Sequence, residues 1–205
     1  SDAYLDVLND IETNYCKDIY IELGLQTVNY KTLEKINRGH TMAELIDAVL
    51  RIKRYGFNVT VHMILNLPWD TMEDTIEGAK TLSALGVDQV KLHALYLVKN
   101  TLMAKWYQEG QFQLISAEEY VDRVIAFLRY LHPDIVLQRL VGRAPEDNTI
   151  FTNWSMGWWR VQDLIDQKMT DHDWHQGDLC NYLNGRAVRK FTDPLFALDD
   201  QGVNE

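Results

Sequence analysis

The run Asn58-Val-Thr-Val-His-Met-Ile-Leu-Asn-Leu67 alternates without a break. Val59, Val61, Met63 and Leu65 fall on one side of an extended chain; Thr60, His62, Ile64 and Asn66 fall on the other. Its β-branched content predicts a strand, and Pro68 stops it. A strand covered by helices on both faces reads as a near-continuous apolar run. This one has one apolar face and one mostly hydrophilic face, so only one side suits a layer of helices.

Three further runs repeat the pattern. Asp18 to Gln26 sets Ile19, Ile21, Leu23 and Leu25 against Tyr20, Glu22, Gly24 and Gln26. The run from Val87 to Val98 sets Val90, Leu92, Ala94 and Tyr96 against Lys91, His93 and Leu95. In Ile135 to Leu140, Gln138 lies opposite Leu137.

Helical segments separate these strands. Ala3, Leu5, Leu8 and Ile11 share one face of Asp2 to Asn14. Thr41-Met-Ala-Glu44 reads as a capping box, followed by Leu45, Ala48, Val49 and Ile52 on one face and Gly56 at the end. Asp70 or Thr71 caps a helix through Ile76, Ala79 and Leu82 that ends at Gly86. Ser116-Ala-Glu-Glu119 is a second box, opening a helix with Tyr120, Val124, Phe127 and Leu131 before Pro133. A last helix spans Trp158 to Lys168.

Strands that alternate with helices pair in parallel, because parallel strands need long crossovers. The fold class is therefore α/β: an incomplete (β/α) TIM-type barrel of about four parallel strands with helices outside, plus a C-terminal helical extension. Residues 1–145 form the partial barrel, and residues 146–205 the extension and an acidic tail. The barrel interior then holds Glu22, Gln26, Thr60, His62, Asn66, Lys91, His93 and Gln138. Polar groups in an interior pair with one another or hold water or ligand, since each unpaired one costs roughly 1–3 kcal/mol. Four strands cannot close an eight-stranded barrel, and open edges invite self-association. Either the barrel is wide and incomplete, or two chains combine, or the chain is a piece of something longer.

Composition narrows the function. The chain has 205 residues, 46% hydrophobic and 24% charged, which is globular. A net charge of −10 argues against a broad nucleic-acid or anionic-membrane surface. Two cysteines, Cys16 and Cys180, cannot build a disulfide framework or an all-cysteine metal site. No apolar run approaches the ~20 residues of a membrane span, and the expected location is the cytoplasm. His172-Asp-Trp-His175, with Asp171, Asp173 and Asp178 nearby, could hold a divalent metal on a helix but reads better as a polar surface turn. The aromatic run Trp154 to Trp159 reads as packing for the last helix rather than a base-stacking platform. Arg139, Arg143, Arg186, Arg189 and Lys190 read as solvated surface residues rather than contacts to an acidic substrate, and Cys16 as a small buried residue.

The segment Glu22-Leu-Gly-Leu-Gln-Thr-Val-Asn-Tyr-Lys-Thr-Leu-Glu-Lys-Ile-Asn-Arg-Gly-His40 resembles the fourth-strand region of radical S-adenosylmethionine (SAM) enzymes. The likeness is to the Elongator-type and coproporphyrinogen-dehydrogenase-type branch and the bacterial iron–sulfur oxidoreductases near it. Gly24-Leu-Gln26 and Asn37-Arg-Gly-His40 carry it. Val61-His-Met-Ile-Leu-Asn-Leu-Pro-Trp-Asp-Thr71 is similar to the fifth-strand motif, and Lys91-Leu-His-Ala-Leu-Tyr96 to the sixth strand. Asn66 and Trp69 stand where the family's motif usually has glycines.

The resemblance implies that the full-length protein reductively cleaves SAM with a [4Fe–4S] cluster, giving a 5′-deoxyadenosyl radical for hydrogen abstraction. By position it places Glu22, Gln26, Arg38, His62, Asn66, Leu67 and Pro68 at the cofactor. Arg38 would reach the SAM carboxylate, His62 the ribose, and Asn66 to Pro68 the adenine. It places Lys91, His93 and Gln138 at the substrate, a small molecule or RNA. The family's cysteine triad is missing here, so the chain is expected to be a C-terminal fragment, inactive alone, with neither cofactor fully bound. Its first partner would be the missing N-terminal part of the same protein. The competing reading is a small-molecule-binding or metal-dependent part-barrel domain without redox chemistry, the metal resting on His62, His93 and Glu22.

Overall fold

A computed structural model describes residues 1–15, 18–142 and 148–181. Helix α1 (Asp2–Asn14) leads to strand β1 (Tyr20–Gln26), short helix α2 (Tyr30–Lys35) and helix α3 (Met42–Arg54). Strand β2 (Asn58–Ile64), helix α4 (Met72–Leu85) and strand β3 (Gln89–His93) follow. Then come β4 (Leu97–Val98), α5 (Leu102–Gln108), α6 (Ala117–Tyr130), β5 (Val136–Arg139), β6 (Thr149–Phe151) and α7 (Trp158–Asp171).

The main sheet has the order β1-β2-β3-β5, with every neighbouring pair parallel. β4 and β6 form a separate antiparallel pair. The apolar strand faces read from the sequence are the core faces. Leu25, Val59, Val61, Met63, Val90 and Leu92 are buried in one cluster with Leu45, Val49 and Ile52 of α3, Ala79 and Leu82 of α4, and Val124 and Leu128 of α6. Four parallel strands with helices on one side make this α/β, part of a TIM-type barrel.

Local chemistry explains the helix ends. Thr41 N–H donates to Glu44 Oε2 at 2.7 Å, closing the first capping box. Thr71 caps α4, accepting from Asp74 N–H at 3.3 Å while Asp74 accepts from Thr71 N–H at 2.8 Å. Gly86 ends that helix in the left-handed region at φ +62, where a side chain would be strained.

Several sequence expectations are corrected. Asp70 is not the cap of α4; Thr71 is, and Asp70 is buried. The box at Ser116 is half made: Ser116 accepts from Glu119 N–H, but the Glu119 carboxylate turns to Arg123 instead. β2 ends at Ile64, three residues early. The third run breaks after His93, so Tyr96 leaves the apolar face and is 41% exposed. Leu95, expected on the polar side, is buried in a second cluster with Leu67, Leu97 and Phe112. The aromatic run divides: Trp154 packs on Tyr120 and Phe151, whereas Trp158 and Trp159 are 45% and 57% exposed. Cys16, Arg143, Arg186, Arg189, Lys190 and the acidic tail lie outside the described residues.

Candidate functional site

On the sheet face away from the helices, one polar row crosses all four strands. Glu22 on β1 accepts from Lys91 on β3, and its other oxygen lies 2.9 Å from His62 Nε2 on β2. His62 Nδ1 lies 3.2 Å from His93 Nε2, with the two rings stacked at 5.2 Å. Nη2 of Arg139, on β5, lies 2.8 and 2.9 Å from the ring nitrogens of His93. Register explains the row: Glu22 pairs with Thr60, His62 with Lys91, Ile64 with His93, and Lys91 with Arg139. Side chains on one face of neighbouring strands meet at these spacings.

A guanidinium can only donate, so His93 accepts from Arg139. One chain of donors runs along the row: Arg139 donates to His93 Nδ1, His93 Nε2–H donates to His62 Nδ1, and His62 Nε2–H donates to Glu22, with the 2.8 Å approach of Arg139 Nη2 to His93 Nε2 then a contact rather than a hydrogen bond. Burial first, then the nearby Arg139, His62 and Lys91, push the His93 pKa down to about 4. The hydrogen bond from Lys91 is the main cause holding Glu22 below the usual carboxylate range.

Gln138 also faces this side. Its amide donates to Gln89, whose oxygen accepts from the Thr60 hydroxyl at 3.2 Å. The ladder slips between Val90 and Lys91, so both Gln138 and Arg139 reach the side chains of β3. Strict alternation would put Arg139 on the side of Leu137, so a period of two alone does not bring it to this row.

The end of β1 holds a second group. The Gly24 carbonyl accepts from Arg38 Nε at 3.0 Å and Nη2 at 2.7 Å, and His40 Nε2 lies 2.9 Å away. A β-carbon at residue 24 would lie 2.5 Å from both Arg38 Nη2 and the Gln26 amide nitrogen. Only glycine leaves that notch. The ladder is irregular here too, and Gln26 has φ +75. His40 stood in the motif but was assigned no role from sequence; it joins Arg38 on the same carbonyl.

The loop after β2 is tightly built. Asn66 is fully buried, and its oxygen accepts from Leu95 N–H at 2.6 Å, tying the ends of β2 and β3 together. Leu67 belongs to the second apolar cluster, and Pro68 is half-buried beside it. Trp69 packs edge-on against Trp106 and Phe112, with Lys35 Nζ 4.6 Å above its ring. Arg123, buried on α6, donates to the Leu65 carbonyl at 3.2 Å and to Glu119 at 2.9 Å. Burial raises the Asp70 pKa, against the opposing effect of the Thr27 and Thr32 hydroxyls.

Other candidates do not assemble. The His172 ring stacks on Trp174 at 4.2 Å and its Nδ1 lies 2.9 Å from the Lys168 carbonyl, as a surface turn does. Among the described residues no group of three His, Cys, Asp or Glu is arranged to hold a metal ion, and that includes Glu22, His62 and His93. No described helix is long and apolar enough to cross a membrane.

Comparison with known proteins gives a consistent picture. Residues 4–92 match the family model of the radical SAM superfamily, and residues 87–171 that of the radical SAM C-terminal domain. An uncharacterised protein of Methanocaldococcus jannaschii is 33% identical over 84% of this chain and 54% of its own length. Protein YtqA of Bacillus subtilis, also uncharacterised, is 33% identical over 90% of this chain and 56% of its own. The chain thus spans about half the length of the curated relatives it matches. The solved structure of an N-terminally deleted Elp3 from Methanocaldococcus infernus superposes with a TM-score of 0.68 at 18% identity. It covers 90% of this chain and 41% of that one, and it shows the shared fold. With both parts of the chain matching family models of the same superfamily, the chain belongs to the radical SAM superfamily.

Proposed function

We propose that the chain is the C-terminal part of a radical SAM iron–sulfur oxidoreductase, contributing half of the SAM site and part of the substrate-facing wall. The observation that carries this reading is the four-strand row Glu22–His62–His93–Arg139 beside the Gly24 notch, on the face the helices leave uncovered.

SAM fits the groups present. It carries a carboxylate, an amine and ribose hydroxyls. The end of β1 offers an amide at Gln26, a guanidinium at Arg38 and a notch where a β-carbon would collide with both. His62 stands one strand over, and Asn66 to Pro68 form the adjoining loop. SAM, when bound and reduced by a cluster held elsewhere, would supply the chemistry for hydrogen abstraction. The chain's own residues bind and orient: Arg38 and His40 stiffen the β1 end, and the polar row preorganises the hollow around neutral His93.

A [4Fe–4S] cluster does not fit this chain. Cluster iron takes grouped thiolates; Cys180 stands beyond α7, and Cys16 is far from it in sequence. Cluster ligation falls to a longer polypeptide, and hydrogen abstraction belongs to that whole protein.

Two measurements test this. Equilibrium dialysis should show weak, saturable SAM binding by the chain, lost in Gln26→Ala and Arg38→Ala. The upstream sequence should carry a cysteine triad, and the extended protein, reconstituted without oxygen, should release 5′-deoxyadenosine with dithionite. An extended reading frame without that triad would sink the proposal.

A further inference from the structure

The two cations of the four-strand row, Lys91 and Arg139, are not equivalent. Lys91 is neutralised by Glu22. Arg139 meets no carboxylate among the described residues; its side-chain partner is the His93 imidazole. An imidazole that accepts from a guanidinium brings no negative charge to it, and His93 is held neutral near pH 7 by burial and its cationic neighbours. A guanidinium presents a fork of five donors, and these contacts use one nitrogen.

The pair is also held in place. The chain after β5 passes close over it: a β-carbon at Gly142 would lie 3.3 Å from His93 Nδ1 and 4.0 Å from the guanidinium carbon of Arg139. Asn153, itself buried, donates to the Gly142 carbonyl at 3.3 Å and pins that crossing. His62 stacks on the other flank of His93. Arg139 remains exposed on its outer side.

We propose that Arg139, oriented by His93, binds an anionic oxygen group of the substrate, a carboxylate or a phosphate. This rests on the substrate-wall reading above and adds the substrate's chemical class. Arg139 is the binding residue; His93 and Gly142 position it. Planar guanidinium forks match both oxyanions in two-point geometry. The site lies at the opposite edge of the sheet from the Gly24 notch, so an anion there sits apart from the proposed cofactor groups.

The test is histidine side-chain NMR on the isotope-labelled 205-residue chain. Inorganic phosphate and then acetate are titrated at constant ionic strength, with chloride as reference. His93 ring signals should move and saturate with at least one anion, and the tighter of the two distinguishes phosphate from carboxylate. Arg139→Gln should weaken that response by about tenfold or more, and Arg139→Lys by less, because it keeps charge but loses the fork. No saturation with either anion, or an undiminished response in Arg139→Gln, overturns the proposal. So does a response that appears only in the Glu146→Gln/Asp147→Asn double variant, since the chain would then supply its own counter-ion. SAM retention, measured on the unsubstituted chain, separates the two readings: no SAM retained while an anion response saturates and falls in Arg139→Gln defeats the cofactor assignment alone, and SAM retained with no saturating anion response defeats this one alone.

Discussion

His93 Nε2 stands 3.2 Å from His62 Nδ1, two imidazoles from adjacent strands stacked beneath a guanidinium from a third. Neighbours of this kind set how each ring titrates.

His93 has a folded pKa of about 4 against an ordinary 6.5. Between those values the unfolded chain binds the proton and the folded chain does not. Stability therefore falls as pH drops through that window and, for this group, levels off below it. Glu22 acts in the same direction: with its folded pKa lowered, its contribution is present above the unfolded carboxylate value and lost as pH falls through the folded one. The ring is only half buried, so the His93 effect is on the order of 1 kcal/mol. Arg139→Gln removes a neighbouring cation and should raise the His93 pKa in an NMR titration. An unmoved His93 pKa would show that Arg139 has no electrostatic hold on it.

Asn66 joins β2 to β3 through one bond to Leu95 N–H. Asn66→Ala leaves the buried Leu95 N–H without its acceptor, which should lower stability by roughly 1–3 kcal/mol in urea unfolding. Asn66→Asp keeps an acceptor but buries a charge, so its loss should be larger at neutral pH and shrink on acidification. An Asn66→Asp variant as stable as wild type at neutral pH would mean the site is wetter than its burial indicates.

Asp70 is 8% exposed, and its Oδ1 has no hydrogen-bond partner among the described residues. Its raised pKa means the folded state holds the proton longer than the unfolded one, so this group costs stability as pH rises. Asp70→Asn should stabilise the chain at neutral pH by about 1 kcal/mol, and the gain should vanish in acid. Thermal unfolding at two pH values checks it; a gain that persists in acid would point to packing instead.

Gly24→Ala would press a methyl on Arg38 and Gln26. Both crowding atoms end flexible side chains, so the fold should survive with a loss of about 1 kcal/mol, a melting shift of roughly 2–4 °C. SAM retention should drop by more, about a hundredfold or roughly 2.8 kcal/mol, because two proposed ligands move together. Equal, small effects on both would mean the notch serves packing alone.

The order of elements was legible because alternation and capping are local. The apolar sets of β1 and β2, the box at Thr41–Glu44 and the helix end at Gly86 each depend on residues a few positions apart, and the sequence shows them directly. Glu22, His62, Lys91 and His93 could likewise be assigned to one face from period two alone. The Ser116 box failed because Arg123, one turn along α6 and buried, competed for Glu119. Tyr96 and Leu95 changed places because the chain leaves the sheet at His93, where Asn66, in the loop after β2, captures the Leu95 amide.

By itself, then, the sequence determined which residues share a strand face and which segments coil, since those follow from backbone geometry repeated along the chain. Only the tertiary structure decided which partners meet: the slip at Val90/Lys91 turns Arg139 toward His93, as no period of two can foresee. A bulge is settled by the fit between neighbouring strands, and that fit exists only once residues distant in sequence stand side by side.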